Sequence, residues 1–329
     1  MSRFFQQLTL TQIIWAGCLL TLLYAAFSRG AYHSDEHYQI LEYAHMKLFG
    51  SPALDELPWE YGLQMRPGVQ PLIAYGIGWA LVGLNLYSPI LLVFLLQLLS
   101  GAFSVWVALF FFRVVREELG GIRWQKWFLI LSFFLWFMAF LHVHFNAEML
   151  SGNLLLLLIA LYLKNSRDKT SCPFRWGLLL GAVAGSLFIV RFQMGFALAG
   201  FGLWLLVFDR RWKLLGGMLL SVLAMIGIGL LCDRWLYGEW TLSPINYLRE
   251  NILNSHMDSF GIEPWYYYLI AILGEGGALF GLLVLSATIW FGVKNPRHVL
   301  TWTLVPFLAV HLMVGHKELR FLFPTLFLA

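Results

Sequence analysis

Two carboxylates stand side by side in His33-Ser34-Asp35-Glu36-His37, a polar string that follows directly on an apolar stretch about as long as a membrane span. Ser34 reads as a helix N-cap, which puts Asp35 and Glu36 in the first turn. The helix dipole favours negative charge there, so both acids are expected to stay ionised near neutral pH. An ionised Asp at the mouth of a membrane cavity suits a general base. The same acids also serve simply as caps of a surface helix. His33 and His37, four apart beside the carboxylates, suggest a metal pair as well, although the zinc-hydrolase pattern H-E-x-x-H is absent. Further on, His37, Ile40, Leu41, Ala44 and Leu48 recur at helical spacing, which predicts an amphipathic helix on the membrane surface.

A second string, His316-Lys317-Glu318-Leu319-Arg320, carries three potentially cationic groups within five residues. A diphosphate or phosphodiester headgroup needs such charge neutralisation; a plain polar turn is the alternative. Arg66 follows Trp59-Glu60-Tyr61 in a stretch broken by Pro and Gly, and pairs there with a lipid headgroup or with water. Arg191 and Gln193 fall between two apolar runs, while Asn146 and Glu148 open another. Ionisable groups at membrane depth are costly and point to function. Snorkelling for Arg191 and an ordinary N-terminal acid for Glu148 are the plainer readings. Aromatics, Trp265 among them, crowd residues 233–268, where they stack on sugar rings or anchor the chain at the interface.

The elements that must position these residues are membrane helices. Of the 329 residues 60% are apolar and only 12% charged, 17% are aromatic, and the mean hydropathy is +0.72. A soluble domain is nearer 45–50% apolar and about 25% charged. A soluble enzyme, a disordered chain and a disulfide scaffold are thereby excluded, as is a nucleic-acid partner, because basic residues do not alternate with exposed aromatics. Three scattered cysteines make no metal cluster. Spans are predicted at 10–28, 88–112, 127–145, 147–163, 176–190, 193–208, 214–232, 276–293 and 299–314, with a tenth starting at Phe321 and stopping at Ala329.

Charge decides how 68–84 is placed. If it does not span, the N-terminus and the loops 113–126, 164–175, 209–213 and 294–298 share one side. That side holds 14 of the 22 Lys and Arg and only four acids, Glu117, Glu118, Asp168 and Asp209. Loops rich in Lys and Arg stay in the cytoplasm. Residues 68–84 are therefore expected to form a re-entrant or interfacial helix on the outer side, which gives the outer face two long segments, 29–87 and 233–275. Function is expected on that outer face.

Four strings, in order, resemble one family. HSDEHYQILEYAHMKLFG is similar to a first-loop H-x-D-E-x-x-Q-x-x-E-x-A-H motif. WEYGLQMRPGVQP follows, then DRWLYGEWTLSPINYLRENIL and GIEPWYYY, and finally HKELRFLFP, close to H-K-E-x-R-F. Together they resemble the GT-C mannosyltransferases of N-glycan-precursor and GPI-anchor assembly, glycosyltransferase family 22. Glu263 stands where the family usually has His before Pro264. The chain stops nine residues after Arg320, where the family continues, so truncation at the C-terminus of a single transmembrane domain is expected.

The resemblance implies an all-α, polytopic GT-C fold of about ten transmembrane helices. It implies inverting transfer of mannose from a polyprenyl-phosphate donor to a lipid-linked or glycan acceptor, with membrane lipid as surroundings. No cofactor and no nucleotide-sugar site are expected, and a divalent metal is left open. It assigns Asp35 as base with Glu36 beside it. His316, Lys317, Arg320, Arg191 and Arg66 become candidates for the donor phosphate. His33, His37, Trp59, Glu60 and Trp265 become candidates for sugar or acceptor. Compact loops point to a bacterial relative in the inner membrane with a periplasmic active face, or to the endoplasmic-reticulum lumen for a eukaryotic chain. The alternatives are a non-mannose hexose donor, and a lipid or solute transporter.

Overall fold

The computed structural model describes residues 7–31, 33–50, 57–168, 172–254, 256–275 and 277–328, so parts of the expected outer segment 29–87 and of the basic loop 164–175 lie outside the described residues. Most of these are helical, with no strand among them. In lipid every backbone polar group must be satisfied within the protein, and helices do this locally.

The helices that frame the site are α1 (Leu10–Phe27), α2 (Glu42–Phe49), α3 (Val69–Gly83), α4 (Pro89–Val115), α5 (Ile122–Phe134), α6 (Trp136–Leu141), α7 (Ala147–Asp168), α8 (Pro173–Val190), α9 (Gly195–Trp204), α10 (Trp212–Tyr237), α11 (Ser243–Leu248), α12 (Tyr267–Glu275), α13 (Ala278–Lys294) and α14 (Val299–Met313). Thr9 starts α1 with a reciprocal cap to Gln12. Pro89 and Pro173 stand in the first turns of α4 and α8, where a missing N–H costs nothing.

Six stretches are long and apolar enough to cross a membrane: α1, α4, α7, α8, 192–209 around α9, and α10. Of these α7 is central, with 78% of its apolar window buried against 22–44% in the others. Its Leu155 and Leu158 pack with Phe111 of α4, Leu180 of α8, Phe201 of α9 and Phe307 of α14. α8 and α10 approach backbone to backbone: a Cβ on Gly181 would lie 2.2 Å from the Met218 carbonyl oxygen.

Four expected spans differ. The run 127–145 breaks at Leu135, whose ψ of 131° is extended, and unwinds again after Leu141. The runs near 276–293 and 299–314 form helices of 17 and 15 residues, shorter than the roughly 20 a full crossing needs. From Leu319 to Thr325 the chain forms a 3₁₀ turn around Pro324, which lacks the N–H an α-helix would use. The segment 68–84 forms α3, only 15 residues long, packed on α2, α4 and α10.

Candidate active site

The wide turn Glu36–Leu41 leads into α2, its N–H of Glu42 reaching back five residues to the His37 carbonyl. Such π-turns recur at functional sites. The cap is His33 rather than the expected Ser34: Asp35 N–H donates to His33 Nδ1 at 3.2 Å, and Ser34 is already helical. From this turn Asp35, Glu36 and Gln39 all face one polar cavity. The cavity is closed by Arg66 and Gln70, by Asn146 and Glu148 at the start of α7, by Arg191 and Gln193 after α8, by Tyr247 of α11 and by Arg320.

Glu36 braces an unwound segment. Its carboxylate lies 2.9 Å from His144 Nδ1 and accepts the Phe145 N–H at 3.0 Å. Side chains satisfy the neighbouring carbonyls: Ser104 donates to that of His142 and Ser100 to that of His144, both at 3.1 Å, and Gln70 to that of Phe145 at 3.3 Å. Non-helical backbone at membrane depth needs such partners. Asn146 then caps α7 by accepting the Met149 N–H at 2.8 Å. The brace thereby sets where Glu148 enters the cavity.

Charges alternate across the cavity. Arg320 Nη1 lies 2.7 Å from Asp35 Oδ2 and 3.4 Å from Glu148 Oε1. Arg191 Nη1 donates to the same Glu148 oxygen at 2.7 Å. Arg66 pairs with Glu60, which also accepts from Gln39 Nε2 at 2.8 Å. The Arg66 guanidinium sits over the Tyr247 ring, 5.8 Å from its centroid, and Tyr247 Oη accepts from Gln193 at 2.5 Å. Burial works to raise the Asp35 pKa, but the His33 ring with the Arg66 and Arg320 charges holds it well below the usual carboxylate range. Burial likewise opposes the Arg66 charge, and Glu60 and Asp35 more than restore it. Arg66 Nε and Arg191 Nε and Nη2 are buried N–H donors without an acceptor among the described residues.

The remaining sequence candidates lie elsewhere. Lys317 Nζ donates to the carbonyls of Glu263 (2.9 Å), Val314 and Gly315. His316 sits 3.1 Å from the Gly261 carbonyl and 3.0 Å from Glu318. These two residues staple the 261–263 stretch to the 314–317 turn and do not line the cavity. Glu263 takes part there through its backbone. His37 pairs with Glu42 at 2.9 Å. Trp59 stacks on His256 and Phe260, and Trp265 is exposed beside Tyr266. Glu60 stands behind Arg66 as its partner. Among the described residues no three His, Cys, Asp or Glu side chains are grouped to hold a metal, and the His33 and His37 rings take separate partners.

Sequence reasoning did not assign His144, Tyr247, Gln39 or Gln70, nor Glu148 as the arginine anchor. The signal for His144 was a histidine at membrane depth just ahead of a helix start. Tyr247 carried only its place in an aromatic run.

A second, apolar cavity of about 720 Å³ adjoins the first. Phe323 lines both, and Trp136, Phe140, Tyr268, Leu308 and Leu322 line the apolar one.

The sequence profile of the Alg9-like mannosyltransferase family matches residues 12–329. Mannosyltransferase APTG1 of Arabidopsis thaliana is 25% identical over 300 residues, covering 90% of this chain and 53% of that protein. GPI alpha-1,2-mannosyltransferase 3 of Mus musculus is 24% identical over 330 residues, covering 96% and 57%. Alpha-1,2-mannosyltransferase ALG9 of Homo sapiens is 31% identical over 172 residues, covering 48% and 27%. The chain thus spans about half the length of the first two relatives. No solved structure matches it significantly. With six helices apolar and long enough to cross a bilayer, it is an all-α integral membrane protein, and the chain belongs to the Alg9-like mannosyltransferase family.

Proposed function

We propose that this chain is an inverting mannosyltransferase, moving mannose from a polyprenyl-phosphate donor to a hydroxyl of a lipid-linked or glycan acceptor on the non-cytoplasmic face. One observation carries the reading: Arg66, Arg191 and Arg320 surround one cavity with Asp35, and buried N–H groups of Arg66 and Arg191 have no acceptor among the described residues. Unsatisfied buried donors are costly, and a phosphate supplies several oxygens to several guanidiniums at once.

The chemistry follows from that arrangement. The acceptor oxygen attacks the anomeric carbon while the bond from that carbon to the phosphate oxygen breaks. The electron pair leaves with the polyprenyl phosphate, whose charge the arginines neutralise. Asp35 takes the acceptor's proton. A single displacement inverts the centre, and a phosphate leaving group needs no second acid of the glycosidase kind. A phosphate drawn to Arg320 competes with Asp35 for that guanidinium, so donor binding makes Asp35 the stronger base.

The apolar cavity sharing Phe323 supports a lipid-linked donor, because it offers a polyprenyl tail a place beside the arginines. Helix directions support the outer face: α7 runs from Glu148 at the cavity towards Arg167, and α8 returns from Arg175 to Arg191. The basic loops lie at the opposite end. The helices read as one transmembrane domain, and the reaction as written uses no cofactor.

The test is transfer of labelled mannose from polyprenyl-phosphate-mannose by the purified protein in detergent, with and without EDTA. Transfer in both arms is expected. Transfer from another polyprenyl-phosphate hexose alone would change the sugar, and none from any such donor would overturn the reading.

A further inference from the structure

Asp233 is 3% exposed near the end of α10, and no cation pairs with it among the described residues. Its carboxylate is held by hydrogen bonds alone. Oδ1 accepts the Gly68 N–H at 2.9 Å, and Oδ2 accepts from the Ser243 hydroxyl. Four residues on, and so on the same helix face, Tyr237 Oη accepts the Arg66 N–H at 3.2 Å and donates to the Arg66 carbonyl at 2.7 Å. Between Arg66 and Gly68 lies Pro67, which has no N–H. The D-x-x-x-Y spacing of DRWLYG therefore takes up both N–H groups that the stretch 66–68 has to offer.

The fit is close. A Cβ on Gly68 would lie 2.4 Å from the Cys232 carbonyl oxygen, so the loop backbone is laid directly on α10. Ser243, on the other carboxylate oxygen, opens α11, and α11 carries Tyr247 beneath the Arg66 guanidinium. One carboxylate thus ties together the two segments that form this wall of the cavity.

We propose that Asp233 and Tyr237 are positioning residues that fix Arg66 and Tyr247 as a unit and so set the affinity of the cavity for the phosphate of a polyprenyl monophosphate. The inference rests on the cavity being a lipid-phosphate site.

The test is titration of the detergent-purified full chain with a long-chain polyprenyl monophosphate, read by tryptophan fluorescence and independent of sugar transfer. Asp233→Asn keeps the shape but turns an amide N–H₂ towards one of two donors. About ten-fold weaker binding is expected. In an Arg66→Ala background the same change is expected to weaken binding no further, since the residue it positions is gone. A role in stability alone would not depend on Arg66. Equal weakening in both backgrounds, or unchanged affinity in Asp233→Asn, overturns the inference and leaves the phosphate site standing. If Asp233→Asn does not fold, Tyr237→Phe enters the same cycle with the carboxylate intact, and the same outcomes decide. Wild-type protein that binds no polyprenyl monophosphate overturns the reading of the cavity and this inference with it.

Discussion

Arg320 and Asp35 are separated by 285 positions in the chain, yet Arg320 Nη1 lies 2.7 Å from Asp35 Oδ2. That contact joins the segment that follows α1 to the 3₁₀ turn at 319–325 across the cavity. It also places the proposed base on the guanidinium that a donor phosphate would engage, so carboxylate and phosphate compete for one group.

Removing the base should stop transfer without unfolding the protein. In Asp35→Asn, Glu148 still compensates Arg320 at 3.4 Å. Labelled-mannose transfer is expected to fall about 10²–10⁴-fold, the usual contribution of general-base catalysis. Thermal unfolding in detergent should show a folded protein. Transfer at wild-type rate would remove Asp35 from the mechanism.

The depressed Asp35 pKa fixes a pH dependence. A carboxylate held below its unfolded value adds stability above that value, about 4, and the stability is lost as pH falls through the folded one. Asp35 protonation should therefore cause no loss of transfer between about pH 7 and pH 5. Arg320→Gln takes away one of the charges that depress it, so the acid limb of the normalised pH–rate profile should move up towards the ordinary Asp range. An acid limb in the same place would mean that Arg320 does not govern this carboxylate.

Glu148 is the shared anion of two arginines, at 2.7 Å from Arg191 and 3.4 Å from Arg320. Removing one partner of a buried ion pair leaves the other uncompensated, at about 3–5 kcal/mol. Glu148→Ala should lower the detergent unfolding midpoint markedly, and Arg191→Met in the same chain should recover part of the loss. No recovery would show that the cost lies in the packing of α7 and not in the stranded charge.

The legibility of the site varied with the range of the contacts. Asp35 and Arg320 stand out in HSDE and HKELR because charge is rare in this chain. Which of three cations turns inward does not follow from the string. The 3₁₀ turn after Glu318 aims Arg320 at the cavity, while Lys317 folds back on the local carbonyls of Val314 and Gly315 and on the distant one of Glu263. Hydropathy read 127–145 as one span because it weighs apolar content and not hydrogen bonding. The unwinding at 142–146 is held by Ser100, Ser104, Gln70 and Glu36, all distant in sequence. Gly177-x-x-x-Gly181 in α8 was a visible small-residue signal for close helix packing, and hydropathy windows pass over it.

Lys317 and Arg191 should separate in kinetics. Both are cations near the proposed site, but Lys317 holds backbone carbonyls whereas Arg191 lines the cavity and keeps buried N–H groups that have no acceptor among the described residues. Lys317→Ala should lower the unfolding midpoint, since each buried carbonyl left unsatisfied costs about 1–3 kcal/mol, with donor KM changed less than about two-fold. Arg191→Lys should raise donor KM about ten-fold or more, because an ammonium cannot reproduce a guanidinium's paired N–H contacts to phosphate. Measured side by side with varied polyprenyl-phosphate-mannose, a larger donor KM effect for Lys317→Ala than for Arg191→Lys would return the phosphate to the 316–320 turn and make Arg191 only the partner of Glu148.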